Sequence, residues 1–355
     1  MAPFTGTKRK ISFGFVVLTS LLRSSLGLVF RSNNLHCHPT LQSWTSSRNT
    51  QQYHSSTKLC VLSTESDVAA CFDAIVKQRY ACTRFQKHDD SSPEHRQVVQ
   101  DALKVLELAQ RAPSGFNVQP WRAIVVTSPE AKKKVAKYNM GNNPNRILDS
   151  DCTVVFLADK ESGRELARFG ALIRRKDEAI AKATNRAPAS NRTIRITQAI
   201  TLLFSSGYPF PRWIQAPFSF CVRLGAATVS ALTRRRVLVP SLSNAECWAS
   251  KNCMLFAMSY ILGCTSRNLA TAPMEGFNAG GIRKALGIPK RFGIPLIVST
   301  GKPLVRGVAG NATNIVDSGL TTTSSASKHI ATERYAINEV LYQDEFGKQV
   351  SLIAP

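Results

Sequence analysis

The first 64 positions of this 355-residue chain contain no aspartate and no glutamate. The same stretch holds seven Lys or Arg residues, and Lys8–Lys10 stand directly before the apolar run Ile11–Leu22. Arg23 ends that run, which excludes a permanent membrane span because such a helix needs about 20 apolar residues. After it comes a basic stretch rich in Ser, Thr, Asn and Gln. This order predicts a disordered targeting leader over residues 1–64.

The leader predicts an organellar location. A signal-like start followed by a transit-like composition is expected of two-step import into a plastid. A mitochondrial presequence is the alternative, because it shares the basic, acid-poor composition.

Two motifs are also missing from the chain. None of the nine cysteines forms a Cys-x-x-Cys pair, so neither a disulfide framework nor a metal site is predicted. We expect the thiols to act as small hydrophobic side chains in a reduced compartment. No Gly-x-Gly-x-x-Gly fingerprint occurs, which excludes a tightly bound dinucleotide in a Rossmann-type domain.

The formal net charge of +23 is unevenly distributed. Residues 160–244 hold fifteen Lys or Arg against four acids, and only about +5 is left outside this segment and the leader. Since aromatics do not interleave with the basic residues, no nucleic-acid partner is predicted. We expect 160–244 to be a basic insertion whose helices cover the site or contact a partner. A membrane-surface role for residues 213–223 stays open, but no stable membrane insertion is predicted.

Periodicity predicts an α+β domain formed by residues 65–159 and 245–347. Helices are expected to begin at residues 66, 93 and 129. A short helix is expected over Ile282–Leu286. Another is expected over Ala245–Gly263, with Trp248, Leu255, Met258 and Leu262 facing inward. Strands are expected at Ile124–Thr127, Cys152–Ala158, Ile294–Thr300 and Ala336–Tyr342. The Gly-, Ser- and Thr-rich segment 304–331 predicts a flexible loop.

The most informative segment is Ala112-Pro-Ser-Gly-Phe-Asn-Val-Gln-Pro-Trp121. It places a turn rich in Pro, Gly, Ser and Asn between a helix and a buried strand. Such a turn can bring backbone N–H groups and an amide side chain close to a flat ligand with polar edges. The segment closely resembles the first active-site loop of the FMN-dependent nitroreductase family.

The resemblance implies a nitroreductase-like fold, with a central, mostly antiparallel sheet flanked by helices. It also implies a homodimer with a domain-swapped C-terminal strand and two flavins at the interface. FMN is the expected cofactor, and NAD(P)H is expected as a transient reductant.

A second resemblance lies in Arg79-Tyr-Ala-Cys-Thr-Arg-Phe85. It is similar to the family's first motif, Arg-x-Ser-x-Arg/Lys-x-Phe, which contacts the flavin phosphate and ribityl chain. Arg79, Ala81 and Thr83 are therefore expected to bind the cofactor. Ala81 replaces the usual serine and Thr83 the usual cation, so two contacts depart from the family pattern.

Further cofactor residues follow from the same resemblance. It places Pro113, Ser114 and Asn117 beside the isoalloxazine ring and the ribityl chain. Asn143 is expected to hydrogen-bond the pyrimidine edge, with Asn145 as the fallback.

The segment Thr271-Ala-Pro-Met-Glu-Gly-Phe277 resembles the family's second active-site loop. There Pro273 and Met274 are expected to contact the cofactor, and a backbone N–H at Glu275 or Gly276 faces flavin N5. These last two are the expected catalytic residues. Arg334, with Lys302 as a weaker candidate, is expected to pair with the phosphate.

These motifs together predict an FMN-dependent oxidoreductase that passes hydride from NAD(P)H to a small electron-poor acceptor such as a nitroaromatic, quinone or enal. Two alternatives stay open. One is specialised chemistry on the same fold, such as reductive dehalogenation or flavin breakdown. The other is a flavin-binding scaffold with degraded catalysis.

Overall fold

The computed structural model of the chain describes residues 65–204, 212–234, 245–306, 315–316 and 332–348. The predicted leader and most of the predicted 304–331 loop lie outside the described residues. Its α-helices are α1 (Glu65–Gln78), α2 (Pro93–Ala109), α3 (Pro129–Ala136), α4 (Asn143–Asp149), α5 (Leu166–Ala183), α6 (Asn191–Phe204), α7 (Arg212–Thr233), α8 (Ala245–Thr265), α9 (Ala279–Ala285) and α10 (Ile337–Val340). Its strands are β1 (Trp121–Val126), β2 (Cys152–Asp159), β3 (Ala270–Met274), β4 (Phe292–Gly301), β5 (Val305–Arg306) and β6 (Ile315–Val316).

The central sheet has the strand order β1-β2-β4-β3, and every neighbouring pair is antiparallel. Apolar side chains from α2 and α8 pack on one face of this sheet. Side chains from α3, α4 and α9 pack on the other face. The prediction of an α+β domain with a helix-covered, antiparallel sheet is therefore confirmed.

Helix starts encoded by local capping were predicted correctly. The side chain of Ser92 accepts a hydrogen bond from the backbone N–H of His95 at the start of α2. The side chain of Ser128 caps α3 in the same way, and each of the two serines is followed by a proline. This agreement arises because a cap and a first-turn proline act within one turn of helix.

Two strand predictions need correction. Ala336–Tyr342 contains the helical turn α10 instead of a strand, because alternation over so few residues does not distinguish a strand from one turn of helix. Conversely, part of the predicted loop 271–277 forms the edge strand β3. Pro273 is accommodated there because an edge strand tolerates a missing N–H donor.

The orientation predicted for α8 was wrong for two of its four residues. Leu255 and Met258 are 46% and 45% exposed, whereas Ala249, Cys253 and Ala257 are fully buried against the sheet. The helix is apolar on nearly every side, so periodicity could not identify the inward face. The inward face combines these small side chains with the rings of Phe256 and Tyr260, which pack on Phe156 of β2.

The described residues of the basic insertion form the helices α5, α6 and α7. α5 and α6 form a hairpin in which the Asp177 carboxylate accepts a hydrogen bond from the backbone N–H of Ala189 at 2.6 Å. α7 follows, with exposed apolar side chains at Phe220 and Leu224. Among the described helices, none combines the length and the hydropathy needed to cross a bilayer. The covering role of this insertion stays a prediction.

Candidate functional site

The predicted active-site loop adopts an unusual backbone. Phe116, Asn117 and Gln119 have φ angles of 53°, 59° and 51°. The hydroxyl of Ser114 holds the turn by accepting a hydrogen bond from the backbone N–H of Gln119 at 3.0 Å. Positive φ is uncommon for residues with a Cβ and costs conformational energy, and such strain concentrates at functional sites. The exposed Phe116 ring is a candidate ligand contact that sequence reasoning missed.

The loop is fixed to the N-terminal half of α8. The backbone N–H of Gly115 donates to Oδ1 of Asn252 at 2.8 Å. A Cβ at Gly115 would lie 3.1 Å from the Trp248 ring, so a larger residue would crowd that contact. Sequence reasoning missed Asn252, although a buried amide on an apolar helix needs a polar partner and so signals a specific contact.

The segment carrying Arg79, Ala81 and Thr83 lies beside the start of β3. Ala81 forms a parallel bridge with Thr271, and the next backbone N–H donates to the carbonyl of Thr271 at 2.8 Å. The backbone N–H of Gln86 donates to the carbonyl of Lys302. The fold therefore brings the first motif and Lys302 to the same edge of the sheet.

A buried carboxylate fixes the chain that follows this motif. Oδ1 of Asp151 lies 2.9 Å from Nδ1 of His88 and 3.1 Å from Nδ1 of His95. Asp151 is 1% exposed, and among the described residues its Oδ2 has no hydrogen-bond partner. The nearby Lys132 ammonium donates to the Ser150 carbonyl at 2.7 Å. Burial lowers the pKa of Lys132, and Asp90 and Asp151 oppose that shift.

The other end of β3 carries the second group of predicted residues. Met274 is buried, Pro273 is half-buried, and Glu275 and Gly276 are exposed directly after the strand. Nδ2 of Asn143 donates to the carbonyl of Gly276 at 3.4 Å. Two residues separated by 133 positions are thus brought together, as the predicted roles require.

Asn143 is held in turn by its own helix. The Arg146 guanidinium donates to Oδ1 of Asn143 at 3.1 Å. The fallback residue, Asn145, instead donates to the side chain of Asn142. Arg146 is a further supporting residue that sequence reasoning missed, although residues three apart on a helix lie on the same face.

Arg334 makes contacts with its immediate neighbours. Its guanidinium donates to the backbone and hydroxyl oxygens of Thr332 and to the carbonyl of Glu333. All of these contacts lie within the described segment 332–348. The structure therefore does not bring Arg334 to Arg79 or Lys302.

The predicted residues fall into two groups in one chain. Those of the first motif, Lys302, Asn143 and Gly276 lie at the two ends of β3. The loop with Pro113, Ser114 and Asn117 is instead fixed to α8 at Asn252. Within one chain the two groups are therefore attached to different elements.

Three buried cysteines are poorly suited to act as nucleophiles. Burial raises the pKa of Cys152, Cys253 and Cys264 to about 12 in each case. A thiol with so high a pKa stays protonated at neutral pH. These side chains serve packing, as the sequence predicted.

A charged cluster connects the basic insertion to the end of the active-site loop. The Glu165 carboxylate accepts hydrogen bonds from Arg122 at 2.6 Å, from Arg168 at 3.0 Å and from Arg291. Partial burial opposes ionisation, but these three guanidinium groups lower the pKa of Glu165 to about 2. The cluster joins the start of α5 to β1 and to the chain before β4.

We predict that this cluster contributes stability that depends on pH. The folded pKa of Glu165 is about 2, below its ordinary value of 4.5. The contribution is therefore complete above about pH 4.5 and is lost as pH falls toward 2. Glu165→Gln should lower the free energy of unfolding by about 1 to 2 kcal/mol at pH 7, after allowance for solvent screening. The difference from the unmodified protein should vanish near pH 2.

Urea denaturation across that pH range tests this prediction. Glu107→Gln is the matched control, because Glu107 is exposed on α2 and its loss should change stability by no more than about 0.5 kcal/mol. If Glu165→Gln lowers the free energy of unfolding by the same amount at every pH, that result would contradict the proposed role of the ionised Glu165 carboxylate.

Comparison with known proteins gives consistent results. The model of the nitroreductase family matches residues 76–302, more than half of the chain. An oxygen-insensitive NAD(P)H nitroreductase of Salmonella typhimurium is 25% identical over 228 residues, covering 63% of this chain and 85% of that protein. An NADH dehydrogenase of Thermus thermophilus is 26% identical over 204 residues, covering 58% of this chain and 76% of that protein.

Among solved structures, one from Exiguobacterium sibiricum is described as a nitroreductase in complex with FMN. It covers 68% of this chain and 92% of its own, with 19% identity and a TM-score of 0.44. The match of the family model identifies the chain, which belongs to the nitroreductase family.

Proposed function

We propose that this protein is an FMN-dependent oxidoreductase that passes hydride from NAD(P)H by way of flavin N5 to an electron-poor acceptor. Nitroaromatics, quinones and enals are the acceptor classes. Membership of the nitroreductase family supports the reaction type. The relatives named NAD(P)H nitroreductase and NADH dehydrogenase support the reductant.

One structural observation carries the proposal. β3 has the phosphate motif at its start, where Ala81 pairs with Thr271. It has Asn143 and Gly276 at its end. Thr271 and Gly276 are about 16 Å apart along an extended chain, a separation that suits a mononucleotide lying with its phosphate at one end and its ring at the other.

The residues at both ends fit the chemistry of FMN. Arg79 and Lys302 offer cations to a phosphate. A Cβ at Gly276 would lie 3.3 Å from Nδ2 of Asn143, so glycine keeps the space beside that amide open. When bound, FMN supplies a ring that accepts a hydride from the reductant and gives it to the acceptor.

Each residue then has a defined task. Arg79 and Lys302 hold the phosphate, and Asn143 orients the ring by its pyrimidine edge. A backbone N–H at Glu275 or Gly276 stabilises negative charge at N5 without a competing side-chain proton. No side chain is proposed as a general acid, and water supplies the proton that completes reduction of the acceptor.

We further propose that the protein is a homodimer whose partner chain completes each site. The loop with Ser114 and Asn117 is fixed to α8, whereas the other predicted residues lie at the ends of β3. Exposed apolar side chains occur on α1 at Val68, Phe72 and Val76 and on α8 at Met254, Leu255 and Met258. α1 and α8 contact each other, so these side chains support a shared apolar surface that a second copy would cover.

The decisive test is spectroscopic. The purified full chain, supplied with FMN and then dialysed, should keep a yellow flavin absorption band. Anaerobic addition of NADPH or NADH should bleach that band, and a quinone should restore it. A protein that stays yellow but does not bleach would indicate a flavin-binding scaffold, and a colourless protein would contradict the proposal.

A further inference from the structure

An open cavity of about 610 Å³ lies beside α9. Its polar side chains are Lys160, Arg283, Lys284 and Lys290, and Ile288 and two glycines complete the lining. We call this cavity the basic groove. It is separate from the residues assigned to FMN, and the proposed reaction uses none of its four cations.

The positive charge of the basic groove is largely uncompensated. Lys284 and Lys290 are exposed, and the described residues form no ion pair with either. Arg283 donates to the carbonyl of Phe292 at 3.0 Å, which is a neutral partner. Lys160 lies 3.9 Å from the Glu246 carboxylate. Cations gathered in a concave surface raise the local potential and attract anions.

The groove is held at a fixed position relative to the residues expected at the flavin ring. α9 begins three residues after Gly276, and the backbone N–H of Asn278 donates to the carbonyl of Tyr138 at 2.7 Å. A Cβ at Gly281 would lie 2.1 Å from the Tyr138 ring, so helix and ring are in close contact. Tyr138 belongs to the segment that leads to Asn143. The groove and the pyrimidine-edge residues are therefore parts of one packed unit.

The separation between the two also suits a dinucleotide. Chain geometry places the Cα of Lys284 at most about 19 Å from that of Gly276. An extended nicotinamide dinucleotide can bridge such a distance, with its nicotinamide at the ring and its adenosine phosphate at the groove.

We infer that the basic groove binds the 2′-phosphate of NADPH and makes this enzyme prefer NADPH to NADH. The inference rests on the proposed function, because it assigns the reductant of the same site. NADPH and NADH share the pyrophosphate, but only NADPH carries the additional phosphomonoester, with a charge of about −1.5 to −2. Exposed lysines bind such a group as point charges, and Lys284 and Lys290 are placed for this contact.

Steady-state kinetics with both coenzymes and a quinone acceptor tests the inference. Lys284→Glu/Lys290→Glu should reduce the ratio of kcat/KM for NADPH to that for NADH at least about tenfold, since charge-assisted contacts are lost and repulsion replaces them. The loss should arise in the KM for NADPH. Lys133→Glu/Lys134→Glu is the matched control: both lysines are exposed on α3 outside the groove, the charge change is equal, and the ratio should be preserved.

Calorimetry provides a readout that needs neither flavin nor turnover. Adenosine 2′,5′-bisphosphate should bind the unmodified protein more tightly than adenosine 5′-monophosphate, and Lys284→Glu/Lys290→Glu should abolish that difference. An unchanged coenzyme ratio, or an equal loss with NADPH and NADH, would overturn the inference. If the protein oxidises neither coenzyme yet shows the bisphosphate preference in the groove, the phosphate site stands and the proposed function fails.

Discussion

Two inactive variants of this protein are expected to restore activity when they form a mixed dimer. Arg79→Ala/Asn143→Ala removes the contacts at the two ends of β3, and Ser114→Ala/Asn117→Ala removes those of the active-site loop. Each homodimer should lose flavin-dependent activity by about 100-fold or more, because several charged or placed hydrogen bonds are lost at once. A heterodimer of the two should recover about half of the activity of the unmodified dimer, since a two-fold interface then contains one intact site.

The experiment uses two affinity tags, co-expression and successive purification on both tags. The matched control is a heterodimer of an Arg79→Ala chain with an Asn143→Ala chain. Both changes lie in the same group of residues, so every site keeps one defect and no recovery is expected. If the heterodimer of the Arg79→Ala/Asn143→Ala chain with the Ser114→Ala/Asn117→Ala chain recovers no activity, that result would contradict a site shared between chains. A monomer by light scattering would contradict it more directly.

The sequence allowed prediction of those elements whose signals act within a single turn or strand. Ser92 and Ser128 cap their helices with local contacts, so the starts of α2 and α3 were predictable. The buried strand at residue 152 was also predictable, because a short apolar run bounded by polar residues is typical of a central strand. All eight residues of β2 are buried.

Elements whose position depends on packing were not predictable. α8 is apolar around most of its circumference, so which of its side chains face inward depends on the sheet beneath it. β3 contains a proline, and only its place at the edge of the sheet explains why it is a strand. The segment 336–342 offers too few residues for its pattern to decide between strand and helix.

The candidate functional site could be predicted from the sequence to about the same extent as the fold. The motifs identified Asn143 and Gly276 only through resemblance to a family, since 133 intervening residues give no physical indication of contact. The support of the loop by Asn252 and Trp248 depends on tertiary packing and was missed. Glu165 was missed for the same reason, because its three arginine partners come from distant parts of the chain.

Removing the buried carboxylate of Asp151 is expected to have the largest effect on stability of any single change considered. It joins His88, in the chain that follows the phosphate motif, and His95, in the first turn of α2, to the start of β2. Asp151→Ala leaves both imidazoles without this acceptor and leaves the buried Lys132 with the carboxylate of Asp90 alone of the two that oppose its pKa shift. The free energy of unfolding should fall by about 3 to 5 kcal/mol, the usual effect of breaking a buried charged contact.

Urea denaturation of the full chain measures this loss, and Asp101→Ala is the matched control. Asp101 lies on α2 and forms a surface pair with Lys104 at 3.7 Å, so its removal should cost about 1 kcal/mol or less. A second readout separates position from stability. At a temperature where Asp151→Ala is still folded, its FMN should dissociate faster than that of Asp101→Ala, because the chain just after the segment Arg79–Phe85 loses its contact through His88 with the start of β2. Equal FMN dissociation rates in the two variants would mean that Asp151 stabilises the fold without positioning the phosphate motif.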